Sequence, residues 1–263
     1  MKRPEPPTRV IHGVNPVKEL LRGGGEELSE LWLAEGARSP GVLELEQGAV
    51  ALGARVKHAP RQTLDRMAGN DRHQGVVAVL RGAFKYAEIS EALDAARTAG
   101  EPPLLVILDG VEDPQHLGAI VRSAVAFGAH AVVIPRDRAV GVTSVVVKAS
   151  AGVVARCRVV RVVNIARFIE VMKDSGVWSV ALAADGDREL GQVDLKGPIA
   201  LVLGSEGEGI RPLVRRSCDH GARVQMVGRV ESLSVSAAAS IALYEVARQR
   251  RGSRADSEVT PLA

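Results

Sequence analysis

The sequence predicts an α/β protein: a small amino-terminal α/β domain followed by a larger carboxy-terminal domain built on a parallel sheet. Three observations carry that prediction. Apolar runs at 76–80, 104–108 and 199–203 have strand length and no polar alternation, as expected of strands covered on both faces. Segments with helical spacing alternate with such runs, the order that builds a parallel sheet with helical crossovers. Between the two series, 82–103 reads as a connection closing on the stiff Glu101-Pro102-Pro103. A chain of 263 residues is comfortable for two domains. The boundaries are set at 8–82, a linker at 83–102, the second domain at 103–250 and an unstructured tail at 251–263.

In the first domain Asn15 is expected to cap a helix with Pro16 at its first position, stopped by Gly23-Gly24-Gly25. A strand follows at 28–34, a helix at 42–52, a strand at 55–58, a short helix at 64–67 and a strand at 76–80. Within the linker, 89–99 has helical spacing and ends at Gly100. The second domain opens with the strand at 104–108 and a loop at 109–117. A helix at 118–127, a strand at 131–134 and a helix at 144–151 come next. Then come a strand at 158–162, a helix at 165–174, strands at 178–182, 199–203 and 222–225, and a final helix at 232–250.

Composition limits the function. Hydrophobic residues make up 46% and aromatics 3%, so the core is aliphatic. No apolar run reaches the length of a membrane span, and the start, Met1-Lys2-Arg3-Pro4, lacks an apolar leader core. Two cysteines, Cys157 and Cys218, suggest a reducing cytoplasm, with no disulfide framework and no metal site. Net charge is +3 and the isoelectric point about 9.1, a lean toward an anionic partner. Arginine far outnumbers lysine and clusters at 156–158, 215–216 and 248–254, where its planar fork suits phosphate. A GC-rich genome choosing arginine for solvated faces accounts for most of that excess.

The stretch around which the second domain is organised is Gly204-Ser205-Glu206-Gly207-Glu208-Gly209, after one strand and before a helix that Pro212 can start. Glycines let the backbone approach a ligand closely. The spacing is neither a P-loop nor the dinucleotide fingerprint, which sets aside nucleotide hydrolases and dehydrogenases. Its two acids, Glu206 and Glu208, would repel a pyrophosphate and suit hydroxyls or a cation. An ordinary βα turn with solvated acids fits the loop alone equally well. Two further stretches, 113–124 and 226–236, stand at strand ends, where open α/β sheets bind ligands, so all three loops could share one site.

With these three stretches in order, the chain resembles the SpoU (TrmH) family of RNA ribose 2′-O-methyltransferases from Val10 to Arg250. The similarity is closest to the branch acting on a guanosine of large-subunit rRNA. Asp113 to Ser123 is similar to the family's first motif, Leu201 to Gly209 to its second, and Ser232 to Ser236 to its third. The amino-terminal domain resembles the family's ribosomal-protein-like RNA-binding module, including His12-Gly13 and His73-Gln74-Gly75. The resemblance implies a trefoil-knotted methyltransferase domain, a homodimer, S-adenosyl-L-methionine as methyl donor, and ribosomal RNA as partner. It implies Arg122, Glu206 and Ser232 as catalytic residues. Arg122 is expected to hold an RNA phosphate and stabilise the developing alkoxide, since its high pKa makes it a poor base. Leu203, Gly204, Glu206, Gly209, Ile210, Met226 and Leu233 are expected around the cofactor.

Two positions depart from the family pattern. His116 and Ser234 stand where asparagines are usual. A protein that keeps the fold as an RNA-binding assembly or regulatory factor, with weak or no catalysis, would change just such residues. In the opposite direction, His116 could itself take the proton from the ribose hydroxyl.

Overall fold

The computed structural model describes residues 9–25, 28–82, 84–228 and 232–258. The chain divides into two compact units, Met1–Lys85 with Val142–Arg156, and Tyr86–Gly141 with Cys157–Ala263.

In the first unit, strands β1 (Arg9–His12), β2 (Leu28–Ala34), β3 (Arg55–Ala59) and β4 (Val76–Leu80) form a sheet in the order β1-β4-β2-β3. Strand β1 has no counterpart among the expected elements; with four residues it is too short to show a period. Helices α1 (Val14–Arg22), α2 (Pro40–Ala51) and α3 (Arg61–Ala68) accompany the strands. Helix α1 starts one residue before the expected cap, Asn15. Its cap comes from elsewhere in the chain: Val14 N–H donates to Gln74 Oε1 at 3.0 Å. Gln74 reaches it from a left-handed backbone, φ 55°.

The segment Val142–Arg156, expected within 103–250, belongs to this unit. Its helix is α6 (Ser144–Ala149). A Cβ on Gly152, at φ +84°, would fall 2.4 Å from Pro16 O, so the backbones touch there and only glycine fits.

The second unit holds a seven-stranded sheet whose strand pairs are all parallel. Its strands are β5 (Leu104–Asp109), β6 (Ala131–Pro135), β7 (Val159–Val162), β8 (Trp178–Leu182), β9 (Arg188–Glu189), β10 (Ile199–Gly204) and β11 (His220–Arg223). Their order is β7-β6-β5-β10-β8-β11-β9. Every residue of β5 and β10 is buried, which is why their sequences read as continuous apolar runs. The helices are α4 (Ile89–Ala99), α5 (Pro114–Ala126), α7 (Ile165–Asp174), α8 (Pro212–Ser217) and α9 (Val235–Glu258).

Two helix boundaries matter for the site. Helix α5 begins four residues before the expected start because Asp113 caps it, its Oδ1 accepting from Gln115 N–H at 2.7 Å. His116 therefore sits in a helical first turn and not in a loop. Helix α9 starts at Val235, so Ser232, Leu233 and Ser234 precede it, and it runs on to Glu258 through the expected tail. No proline interrupts the chain there before Pro261. The tail's last five residues, 259–263, lie outside the described residues, as do 229–231 of the third motif stretch.

Candidate active site

Strand β10 pairs with β5 on one side and β8 on the other, and its last residue, Gly204, stands opposite Asp109 at the end of β5. The loop after it closes on itself. Ser205 N–H donates to Gly209 O at 3.2 Å, and Gly209 N–H returns to Ser205 O at 3.0 Å. Gly207 and Gly209 take φ of +88° and +68°, values that side chains rarely allow. A Cβ on Gly204 would lie 1.9 Å from the carbonyl carbon of Gly209, so the two backbones are in contact.

Asp109 anchors the far end of the loop. Its buried carboxylate accepts from Arg211 N–H at 2.9 Å and from Arg211 Nε at 2.8 Å. Sequence reasoning left both residues unassigned. The available signal was an acid directly at the carboxyl end of an apolar strand.

A cavity of about 790 Å³ opens at the carboxyl ends of the strands. The turn after β8, the glycine loop, Val224 and Met226 after β11, and the residues leading into α9 line it. Seven expected cofactor residues, Leu203, Gly204, Glu206, Gly209, Ile210, Met226 and Leu233, all line this cavity, and so do Ser232 and Ser234. Arg215 and Asp185 lie on its wall as an ion pair at 2.9 Å, in which the guanidinium holds the Asp185 carboxyl below its usual range. Arg215, read as a candidate phosphate contact, is thus matched by an acid.

His116 and Arg122 do not line the cavity. His116 lies beside it, with Nε2 3.0 Å from Glu206 Oε1. Its Nδ1 is 3.2 Å from Ser236 Oγ, so both ring nitrogens have a polar neighbour while the side chain stays 23% exposed. Arg122 is exposed on α5 and makes no ion pair among the described residues. Ser123, next to it, is 2.8 Å from Ser240 across α5 and α9.

The profile of the SpoU rRNA methylase family matches residues 103–244, and that of the RNA 2′-O ribose methyltransferase substrate-binding family matches 10–85. The chain belongs to the SpoU rRNA methylase family. Within the SpoU family it is 40% identical to the 23S rRNA (guanosine-2′-O-)-methyltransferase RlmB of Shewanella oneidensis, over 92% of this chain and 98% of that one. Among solved SpoU structures, AviRb from Streptomyces viridochromogenes in complex with AdoMet is 25% identical with a TM-score of 0.76. That match covers 93% of this chain and 91% of AviRb. An AdoMet-bound rRNA methyltransferase from Sinorhizobium meliloti is 26% identical with a TM-score of 0.73, covering 92% of this chain and 87% of that structure.

The residues present fit such a ligand. The cavity volume is that of a small-molecule site. The loop brings carboxylates and bare backbone to the wall, and its acids suit a sulfonium cation and ribose hydroxyls. The contact between Gly204 and Gly209 leaves no side chain over the ends of β10.

Proposed function

We propose that this protein transfers a methyl group from S-adenosylmethionine to the ribose 2′-hydroxyl of a guanosine in 23S rRNA. The observation that carries the reading is the cavity itself: all seven expected cofactor residues line it at the carboxyl ends of the strands. When bound, S-adenosylmethionine supplies a methyl carbon on a sulfonium, and transfer leaves a neutral thioether that needs no acid.

The chain's own task is positioning. Backbone groups of Leu203, Gly204, Ile210, Met226 and Leu233 would hold the cofactor, with Glu206 and Ser232 ordering the site. Fixing the attacking oxygen in line is worth about 7–11 kcal/mol in well-oriented systems. Arg122, with no acid partner among the described residues, is free to take an RNA phosphate and to stabilise the oxygen as it loses its proton.

The reading extends to a trefoil-knotted chain path, a homodimer and a cytoplasmic enzyme. Exposed Ile241 and Tyr244 on α9 support the dimer. Calorimetry should find micromolar binding of S-adenosylmethionine, and mass spectrometry a new 2′-O-methylguanosine in treated 23S rRNA or its precursor particle. Arg122→Ala should lower kcat about 10²-fold while leaving cofactor binding in place. Cofactor binding with no methylation of either RNA form would point instead to an RNA-binding homologue.

A further inference from the structure

Glu206 is one of three acids on the cavity wall, with Asp185 and Glu208, and its carboxylate is half exposed. His116 Nε2 meets it at 3.0 Å. A bare ring nitrogen would repel a carboxylate at that ion-pair distance, so Nε2 carries the hydrogen. In the neutral ring Nδ1 is then an acceptor, and the Ser236 hydroxyl, 3.2 Å away, donates to it. With its hydrogen committed, Ser236 Oγ accepts from Ser234 Oγ at 3.3 Å. Ser234 Oγ in turn accepts from Ala237 N–H at 3.3 Å, in the first turn of α9. Each hydrogen bond in this series has one direction, from the helix backbone through two serines to the histidine, whose Nε2 then faces the loop acid at ion-pair distance.

The support under the series is firm. Asp113 caps the helix that carries His116 and places a second carboxylate 3.7 Å from Nε2. Ser236 O accepts from Ser240 Oγ at 2.8 Å, and Ser240 meets Ser123 of α5 at 2.8 Å. Helices α5 and α9 are therefore joined at two polar points, His116 with Ser236 and Ser123 with Ser240.

We propose that His116 is a positioning residue that holds Glu206 in its ligand-binding orientation, and that Ser236 with Ser234 selects the Nε2–H tautomer that lets it do so. The two positions where this chain departs from the family motifs, 116 and 234, thus act as one unit joined through Ser236. The functional half of this proposal rests on the cavity being the S-adenosylmethionine site.

The test separates the two contacts of the ring. Glutamine presents its amide N–H about where Nε2 stands, and asparagine about where Nδ1 stands. By calorimetry, His116→Ala should weaken S-adenosylmethionine binding about tenfold, His116→Gln should recover most of that loss, and His116→Asn should not. His116→Ala combined with Glu206→Ala should bind no more weakly than Glu206→Ala alone. Additive losses, or equal recovery by glutamine and asparagine, would overturn the proposal. Long-range proton–nitrogen NMR of the His116 ring gives a readout that needs no ligand. It should show Nε2–H in the wild-type protein, and a mixed tautomer in Ser236→Ala. A wild-type ring protonated at Nδ1 alone overturns the proposal. If the wild-type protein binds no S-adenosylmethionine, the reading of the cavity fails while the ring spectrum still decides the contacts of His116.

Discussion

His130 is buried, and its Nδ1 accepts from Leu104 N–H at 3.1 Å, a bond that the neutral ring makes. Burial pushes its pKa down, with Arg250 and Arg158 adding to the effect and Glu101 opposing it. His12 is lowered too, by burial and then by Lys148 and His73. A histidine lowered on folding stabilises the protein fully above its unfolded value. That contribution is lost as pH falls below about 6.5 through the folded pKa. Denaturant midpoints should therefore drop on acidification across this range, and His130→Phe should make the slope shallower. Single residues were unevenly legible. Glu206 and Arg122 stood out because motifs frame them. Asp109, Arg211 and Ser236 did not, because their meaning lies in partners far along the chain: Asp109 and Arg211 are 102 positions apart.

The glycine loop shows how an element can be read in outline and still surprise in detail. Its glycines were legible, but the reason for Gly204 was not: its flaw with any side chain is contact with Gly209, not a positive φ. Gly204→Ala should force the loop apart and abolish S-adenosylmethionine binding, with a loss of stability of about 1–3 kcal/mol from overpacking. Helix α9 offers the counterpart. Arg250 lies in a basic cluster that invited a phosphate reading. Its guanidinium instead donates to the carbonyls of Pro102 at 2.8 Å, Pro103 at 3.1 Å and Gly197 at 2.8 Å. Those carbonyls lie just before β5 and β10, so the helix fastens the entry of the two central strands. Arg250→Ala should cost about 2–3 kcal/mol in chemical denaturation. Helices such as α7 (Ile165–Asp174) match the expected bounds because their signals are local. Helices α1 and α5 shifted because Gln74 and Asp113 cap them where no apolar period marks a start.

At the scale of the molecule, α9 carries exposed Ile241 and Tyr244, and Tyr244 stands edge-on to Phe127, just after α5, with ring centroids 6.1 Å apart. In the proposed homodimer a second copy of the chain would cover these side chains. Light scattering should give twice the chain mass, and Ile241→Asp with Tyr244→Asp should give a folded monomer. The class of fold, the parallel core and the glycine loop were determined by the sequence alone. Buried strands must be apolar throughout, and a turn with close backbone contact must be glycine, so burial and sterics write themselves into local composition. Only the tertiary structure decided the rest. It assigned Val142–Arg156 to the first unit, closed Asp109 on Arg211, and joined His116 to Glu206, Ser236 and Ser234. Hydrogen bonds and ion pairs form between groups that folding brings within about 3 Å, and no local pattern records which distant residue that will be.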